Sequence, residues 1–382
     1  MNLTKQTTER FEKQFGYLPA GVWSAPGRAN LIGEHTDYNN GFVFPFGIDK
    51  RTYAAMSKRD DLIIRIGTSF TEGVVEFELS ETEPAVLDWA LYPLGVAWVM
   101  REGLDSGFDL FLNSDVPIGA GLSSSAAVEC SVALALNDLW KLGHSKQQLA
   151  LIGQRAENEV VGAPTGIMDQ TASMLAEIDA AVLIDCLTLE TEIVELGLEA
   201  QNLVVAVIDT QVSHRHSDGG YRSRRDACEK GAEVMGVSSL RELSNSDLKT
   251  AKARLDDVTY RRVRHIITEN DRVLATVAAL KSGEISELGP IFEASHVSMR
   301  DDFEISIPEL DLAVEASLKI GAIASRMTGG GFGGAAIAVI SKDLLSSLET
   351  DVTAAFAAAG FGQPKIFTVA ASAGAARESS WL

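Results

Sequence analysis

A chain of 382 residues, 46% hydrophobic and 23% charged, has the balance of a globular protein and the length of two domains of roughly 150–200 residues each. Its formal net charge of −20 repels phosphate backbones and anionic lipid surfaces, which argues against nucleic-acid and membrane partners. Cys130, Cys186 and Cys228 are odd in number and form no CxxC pair, so neither a disulfide framework nor a zinc site is indicated and a reducing, cytoplasmic setting is expected. No apolar leader follows Met1, and runs such as 203–208 are too short to span a bilayer.

In chain order, residues 8–14 read as a short polar helix with Phe11 and Phe15 on one face. Strands and turns follow from Val22 to about Leu79, including a β-rich stretch at 41–46 behind turn residues at 37–41. The alternation of Phe108, Leu110 and Leu112 predicts a strand that ends at 113–115. Residues 123–140 predict a nearly buried helix, with Val128, Val132, Leu136 and Leu139 along one face. A second helix is expected over 147–160, with Leu149, Ile152, Ala156 and Val160 inward, then a short apolar strand at 203–209. An acidic stretch at 187–201 marks a domain boundary, dividing the chain into 1–195 and 196–382. The second half carries helices around 240–281 and 308–320 and closes with a Gly-rich loop and a strand at 335–340. This mixed order predicts an α+β fold in two domains.

The loop Gly119-Ala120-Gly121-Leu122-Ser123-Ser124-Ser125 lies between a predicted strand and a predicted buried helix. Glycines let backbone amides approach a ligand closely, and a helix N-terminus favours a polyphosphate. The serines add hydroxyls for phosphate oxygens or Mg²⁺. No lysine follows the glycines, so a P-loop is unsupported, and a Ser-rich helix cap is the plain alternative. Residues 329–334 formally contain GxGxxG, but a β-type run follows where a dinucleotide site needs a helix. That loop reads instead as a support for the first.

Asp169 and Arg28 suit phosphoryl transfer, a carboxylate orienting a hydroxyl or taking its proton while a guanidinium stabilises the phosphoryl group. A structural ion pair, or two unrelated surface charges, is the alternative. Glu34, His35 and Asp37 fall within four positions and suit the reading of vicinal sugar hydroxyls; a metal or a solvated loop would use the same residues. Glu157 could join Ser125 and nucleotide phosphates around Mg²⁺, or simply face solvent. His214 and His216 lack an acidic or Cys partner at clear spacing and read as loop residues.

Taken together, these segments resemble the galactokinases of the GHMP kinase superfamily. Residues 25–39 look like the galactokinase signature, 119–127 like the superfamily's ATP motif and 326–334 like its third motif. Residues 166–170 and 295–304 are also similar to galactokinase text. The resemblance implies a ribosomal-S5-like N-terminal domain and a ferredoxin-like C-terminal domain with the active site between them. It implies Asp169 as the catalytic carboxylate and Arg28 as transition-state stabiliser. It further implies Glu34, His35, Thr36, Asp37, Gly166 and Tyr221 around the sugar, Gly119 through Ser125 on ATP, Trp89 beside the adenine, and Ser125 and Glu157 on Mg²⁺. Galactose and ATP are the implied substrates, α-D-galactose 1-phosphate and ADP the products. Ala163-Pro164-Thr165 and Ala335 stand where many members carry cysteines. Two other readings share the scaffold, an N-acetylgalactosamine kinase and a non-catalytic galactose sensor. Sensors lose part of the phosphate motif, which is intact here.

Overall fold

The computed structural model describes residues 2–79, 88–212 and 217–378. Helix α1 (Leu3–Phe15) starts at Asn2, whose side chain accepts from the Lys5 amide, and stops at left-handed Gly16. Strands β1 (Gly21–Asn30), β2 (Phe42–Val43), β3 (Pro45–Lys58), β4 (Ile63–Thr68) and β5 (Val74–Glu78) follow. After α2 (Leu91–Met100) and β6 (Phe108–Ser114) come α3 (Ser124–Trp140), α4 (Lys146–Arg155), a π-helical turn at Ala156–Val161, and α5 (Met168–Leu175). Strands β7 (Ala180–Asp185) and β8 (Thr191–Glu195) complete the first half.

The second half runs β9 (Leu203–Asp209), α6 (Ser217–Met235), α7 (Leu248–Arg254), α8 (Asp257–Ser282), α9 (Leu288–Val297) and α10 (Pro308–Ile320). It ends with the hairpin β10 (Ala324–Thr328) and β11 (Ala335–Ser341), then α11 (Leu345–Ala359), β12 (Lys365–Val369) and β13 (Ala376–Arg377).

Three sheets organise these elements, with orders β13-β1-β3-β6-β4-β5, β10-β11-β9-β12 and β2-β7-β8. The four-stranded sheet is antiparallel throughout, and its strands follow in the order β9, helices, the β10–β11 hairpin, α11, β12, as in the β-α-β-β-α-β ferredoxin-like arrangement. Helices α3 and α5 pack against β1 and β3 of the six-stranded sheet. The halves are joined by a shared apolar cluster, in which Leu31, Phe44 and Phe46 meet Val205, Ile337, Val339 and Phe292. At the end of the chain β13 pairs with β1, Trp23 opposite Arg377, so the tail returns to the first sheet.

The structure departs from the sequence expectations at several points. The helix expected over 147–160 is α-helical only to Arg155, and the π turn then adds a residue to the register. The helical stretch at 240–281 is two 3₁₀ turns, α7 and α8, separated at 255–256. Helices α6 and α9 were not anticipated, and the chain does not close at β11. Helix α11 follows, burying only Leu348, Val352 and Phe356, a stripe one residue wide that its Ala- and Ser-rich sequence obscures.

Candidate active site

Arg28 sits on β1 just past a register shift between Pro26 and Arg28, an irregularity that re-aims the side chain. A Cβ on neighbouring Gly27 would stand 2.6 Å from the Leu122 carbonyl oxygen. Glycine is therefore what lets the 119–125 loop lie against β1, where the Arg28 amide donates to that carbonyl at 3.0 Å. Asp169 is the second residue of α5. Arg28 Nε donates to Asp169 Oδ1 at 2.8 Å and Arg28 Nη2 to Oδ2 at 2.9 Å, while Nη1 donates to the Gly121 carbonyl at 2.5 Å. The two residues are therefore paired and not unrelated surface charges, and the pair is anchored to the glycine loop.

Within that loop Gly119 (φ 79°), Gly121 (φ 73°) and Ser123 (φ 55°) are left-handed. The Ser123 side chain caps none of the first-turn amides of α3; its hydroxyl donates to Asp169 Oδ2 instead. The plain alternative of a serine cap is thus set aside, and the start of α3 keeps its dipole for an anion. Ala120 and Leu122 turn their side chains into the core, so only their backbone borders the cleft. The second glycine loop supports the first: a Cβ on Gly329 would approach the Gly121 carbonyl oxygen at 3.2 Å.

Three connected cavities meet at this point. One of about 280 Å³ is lined by Phe70, Trp89, Tyr92, Ile118 and Val128, with Ser124 and Ser125 at its edge. A larger one of about 670 Å³ shares Tyr92 with it and is bordered by Glu157, Thr165, Tyr221 and Gly330. The third, about 190 Å³, shares Thr165, Tyr221 and Gly330 with the second and is lined by Arg28, Glu34, His35, Asp37, Gly166 and Asp169.

The smallest cavity has fixed walls. Glu34 is 1% exposed; its carboxylate accepts from the Gly329 amide at 3.2 Å and from Arg326 Nη2, although burial pushes its pKa up. Burial pushes His35 down to about 3, so its ring is neutral. His35 Nε2 faces the Gly330 carbonyl at 3.1 Å and must donate there, leaving Nδ1 to accept from the Tyr38 hydroxyl at 2.8 Å. Tyr221 lies over the His35 ring at 4.8 Å between centroids. Burial, then the charge of Asp169, lifts Asp37 to about 6. A Cβ on Gly166 would stand 1.9 Å from Asp37 Oδ2, so only glycine admits that carboxylate.

Thr36 is the exception among the expected sugar residues. Its hydroxyl donates to the Gly33 and Phe42 carbonyls at 2.8 and 2.6 Å and is fully buried, so it closes the turn and does not line the cavity. His214 and His216 lie outside the described residues.

Glu157 is 6% exposed, not a surface glutamate. It accepts from Ser125 Oγ at 3.1 Å, Thr165 Oγ1 at 2.8 Å and Gln170 Nε2 at 2.8 Å. Burial and then the Asp169 charge raise its pKa. Among the described residues it has no ion-pair partner and no group of three His, Cys, Asp or Glu forms a protein-only metal cage. A buried carboxylate beside a serine hydroxyl, facing the middle cavity, fits a Mg²⁺ held chiefly by phosphates and water.

Sequence reasoning gave no role to Tyr92, Thr165 or Gln170, and none to Glu129. The last carried a signal, since Glu129 is a carboxylate set in the mostly apolar stretch 126–136 of α3. The three cysteines are free and buried, and no described helix is long and apolar enough to cross a membrane.

The family model of the galactokinase galactose-binding signature matches residues 9–58, that of the GHMP kinase N-terminal domain residues 92–177, and that of the GHMP kinase C-terminal domain residues 276–358. A galactokinase of Streptomyces coelicolor is 48% identical over 375 residues, 97% of each chain. One of Streptomyces lividans is 45% identical over 93% of this chain and 91% of its own. The crystal structure of Lactococcus lactis galactokinase complexed with galactose superposes with a TM-score of 0.94 at 31% identity, over 98% of this chain and 100% of that one. Methanococcus jannaschii mevalonate kinase shares the fold at a TM-score of 0.66 and 15% identity. With the glycine loop, the Arg28–Asp169 fork and the polar cavity built as described, the chain belongs to the galactokinase family and has the two-domain α+β fold of the GHMP kinases.

Proposed function

We propose that the three cavities hold the base, the polyphosphate and the sugar of one ternary complex, and that the protein transfers the γ-phosphoryl group of ATP to the anomeric hydroxyl of galactose. The products are α-D-galactose 1-phosphate and ADP. The observation that carries this reading is the Arg28–Asp169 fork, which stands where the polar cavity meets the glycine loop.

Trp89, Phe70 and Ile118 offer an apolar slot for a base. The backbone of Gly119 through Ser125, at the uncapped start of α3, receives the phosphates. Ser125 and Glu157 would hold Mg²⁺, which would supply neutralisation of charge on the phosphate oxygens. Glu34, His35, Asp37, Gly166 and Tyr221 surround the sugar. Asp169 has both oxygens occupied on one side by Arg28 and Ser123, and a free lone pair on Oδ1 accepts the hydrogen bond of the anomeric hydroxyl. Orientation of that hydroxyl is its first task, and it receives the proton as the oxygen–phosphorus bond forms. Arg28, fixed at three donors, leaves its remaining N–H groups for the phosphoryl oxygens. The chain acts as two units, 1–195 and 196–382, with its last strand returned to the first. Its buried free thiols suit the reducing cytoplasm.

ADP release measured with galactose, N-acetylgalactosamine, mevalonate and homoserine as acceptors tests the reading. Galactose should be strongly preferred; turnover of another acceptor above galactose, or of none, would overturn it.

A further inference from the structure

Behind Glu157 lies a buried polar relay that the reaction as described does not use. The Gln170 side-chain amide donates one N–H to Glu157 Oε2 at 2.8 Å and the other to Glu129 Oε2 at 2.9 Å. Gln170 and Glu129 are both 0% exposed, and among the described residues neither the Gln170 carbonyl oxygen nor the second carboxyl oxygen of Glu129 has a hydrogen-bond partner. Unpaired buried polar atoms cost stability, so this pair is poorly explained as a stabilising device. The fold also makes room for it. Gly153 lies inside α4, and a Cβ there would stand 3.0 Å from Gln170 Cγ and 3.5 Å from Glu129 Cβ. Glycine is less favourable than alanine inside a helix. Three elements, α3, α4 and α5, thus converge on the orientation of one amide.

That amide makes the two oxygens of Glu157 unequal. Oε2 accepts from both Gln170 and Thr165 at 2.8 Å, whereas among the described residues Oε1 accepts from Ser125 Oγ alone, at 3.1 Å. Ca²⁺ takes six to eight oxygens and readily uses both oxygens of a carboxylate; Mg²⁺ demands near-octahedral geometry and is content with one. A cation reaching Oε2 would have to displace two hydrogen bonds. We infer that Gln170, braced by Glu129, keeps Glu157 monodentate and is the residue that selects Mg²⁺ over Ca²⁺. The inference rests on the proposed role of Glu157 as a metal ligand, and Gln170 is a positioning residue that touches neither substrate.

The test is calorimetric titration of Mg²⁺ and of Ca²⁺ into the full-length protein saturated with a non-hydrolysable ATP analogue. Gln170→Met fills the same space without donors. It should shift the Mg²⁺-to-Ca²⁺ affinity ratio about tenfold toward Ca²⁺, the usual scale for losing a residue that orients a metal ligand, and leave metal-free galactose affinity unchanged. An unchanged ratio, or equal losses for both cations, would overturn the inference. Glu157→Gln separates the two layers: weakened binding of both cations there, with an unchanged ratio in Gln170→Met, sinks only the selectivity claim, whereas unaltered binding sinks the metal assignment as well. If Gln170→Met does not fold, the double change Glu129→Leu with Gln170→Met removes both ends of the relay and carries the same expectation.

Discussion

Replacing Arg28 by alanine removes three donors at once: two to Asp169 and one to the Gly121 carbonyl. Its effects on rate and on stability should be different in size. For stability, the Arg28 side chain is 6% exposed but Asp169 is 26% exposed, so the abandoned carboxylate regains water. A fully buried pair broken from one side costs about 3–5 kcal/mol; with that solvation restored, about 1–2 kcal/mol is expected. For rate, one preorganised charge facing the transferring phosphoryl group is worth about 10²–10³-fold in kcat, or roughly 3–4 kcal/mol. Arg28→Lys keeps the charge but loses the fork, and should fall between parent and alanine in kcat while remaining as stable as the parent to within about 1 kcal/mol. Steady-state ADP release at saturating galactose and ATP gives the first quantity, and equilibrium urea unfolding the second. A kcat for Arg28→Ala within about threefold of the parent, in a folded protein, would refute the assignment of Arg28 to the transition state.

Gly166→Ala puts a methyl group where Asp37 Oδ2 stands 1.9 Å away; KM for galactose should rise at least about tenfold while nucleotide-analogue affinity, read by calorimetry, stays put. Arg326→Leu strands the buried carboxylate of Glu34, while Glu269, 3.6 Å from Arg326 Nη2, keeps Arg272 at 2.7 Å; urea unfolding should show a loss of about 3–5 kcal/mol. Trp89→Ala opens the apolar slot, so KM for ATP should rise with kcat for galactose little changed in the same assay. For Asp37, burial and the Asp169 charge lift the carboxyl from 3.8 to about 6, so ionised Asp37 costs the folded state stability at high pH and nothing below the unfolded value. Asp37→Asn should therefore stabilise the ligand-free protein by about 2 kcal/mol at about pH 8, with an advantage that fades as pH falls through about 6 and vanishes below 3.8; a pH-independent difference in urea midpoints would contradict this.

Local order was legible in the sequence wherever a few neighbouring residues decide it. The glycines and serines of 119–125 announce a turn into a helix, Pro308 opens α10 at its first position, and β9 is an uninterrupted apolar run. Long-range pairings were not legible. Arg28 and Asp169 are 141 positions apart, and Glu34 meets Arg326 across 292, so only the fold brings either pair together. The burial of Glu157 was left open by the sequence for a different reason. A helix continued at 3.6 residues per turn places it beside the inward stripe, but the π turn at Ala156–Val161 shifts the register and carries it inside. Thr36 shows the reverse case, a residue adjacent in sequence to the expected sugar residues whose hydroxyl is consumed by its own turn.

The charges of the cleft explain how a protein of net charge −20 can handle an anionic nucleotide. Four carboxylates converge there: Glu34, Asp37, Glu157 and Asp169. Arg326 neutralises Glu34 and Arg28 neutralises Asp169, but among the described residues Asp37 and Glu157 have no ion-pair partner, and the negative charge of Asp169 raises the pKa of both. Asp37 lines the polar cavity with Asp169, and Glu157 lines the larger cavity beside it. On the proposed reading Glu157 would hold a divalent cation, whose positive charge would oppose the field of Asp169 at Asp37. Asp37 then ionises more readily and accepts sugar hydroxyls more strongly. Because coupling between sites is reciprocal, sugar bound at Asp37 must favour the metal–nucleotide complex by the same factor. Neither substrate alone completes the charge balance of the cleft, so the carboxylates that make the ligand-free site unfavourable are what tie the binding of one substrate to that of the other.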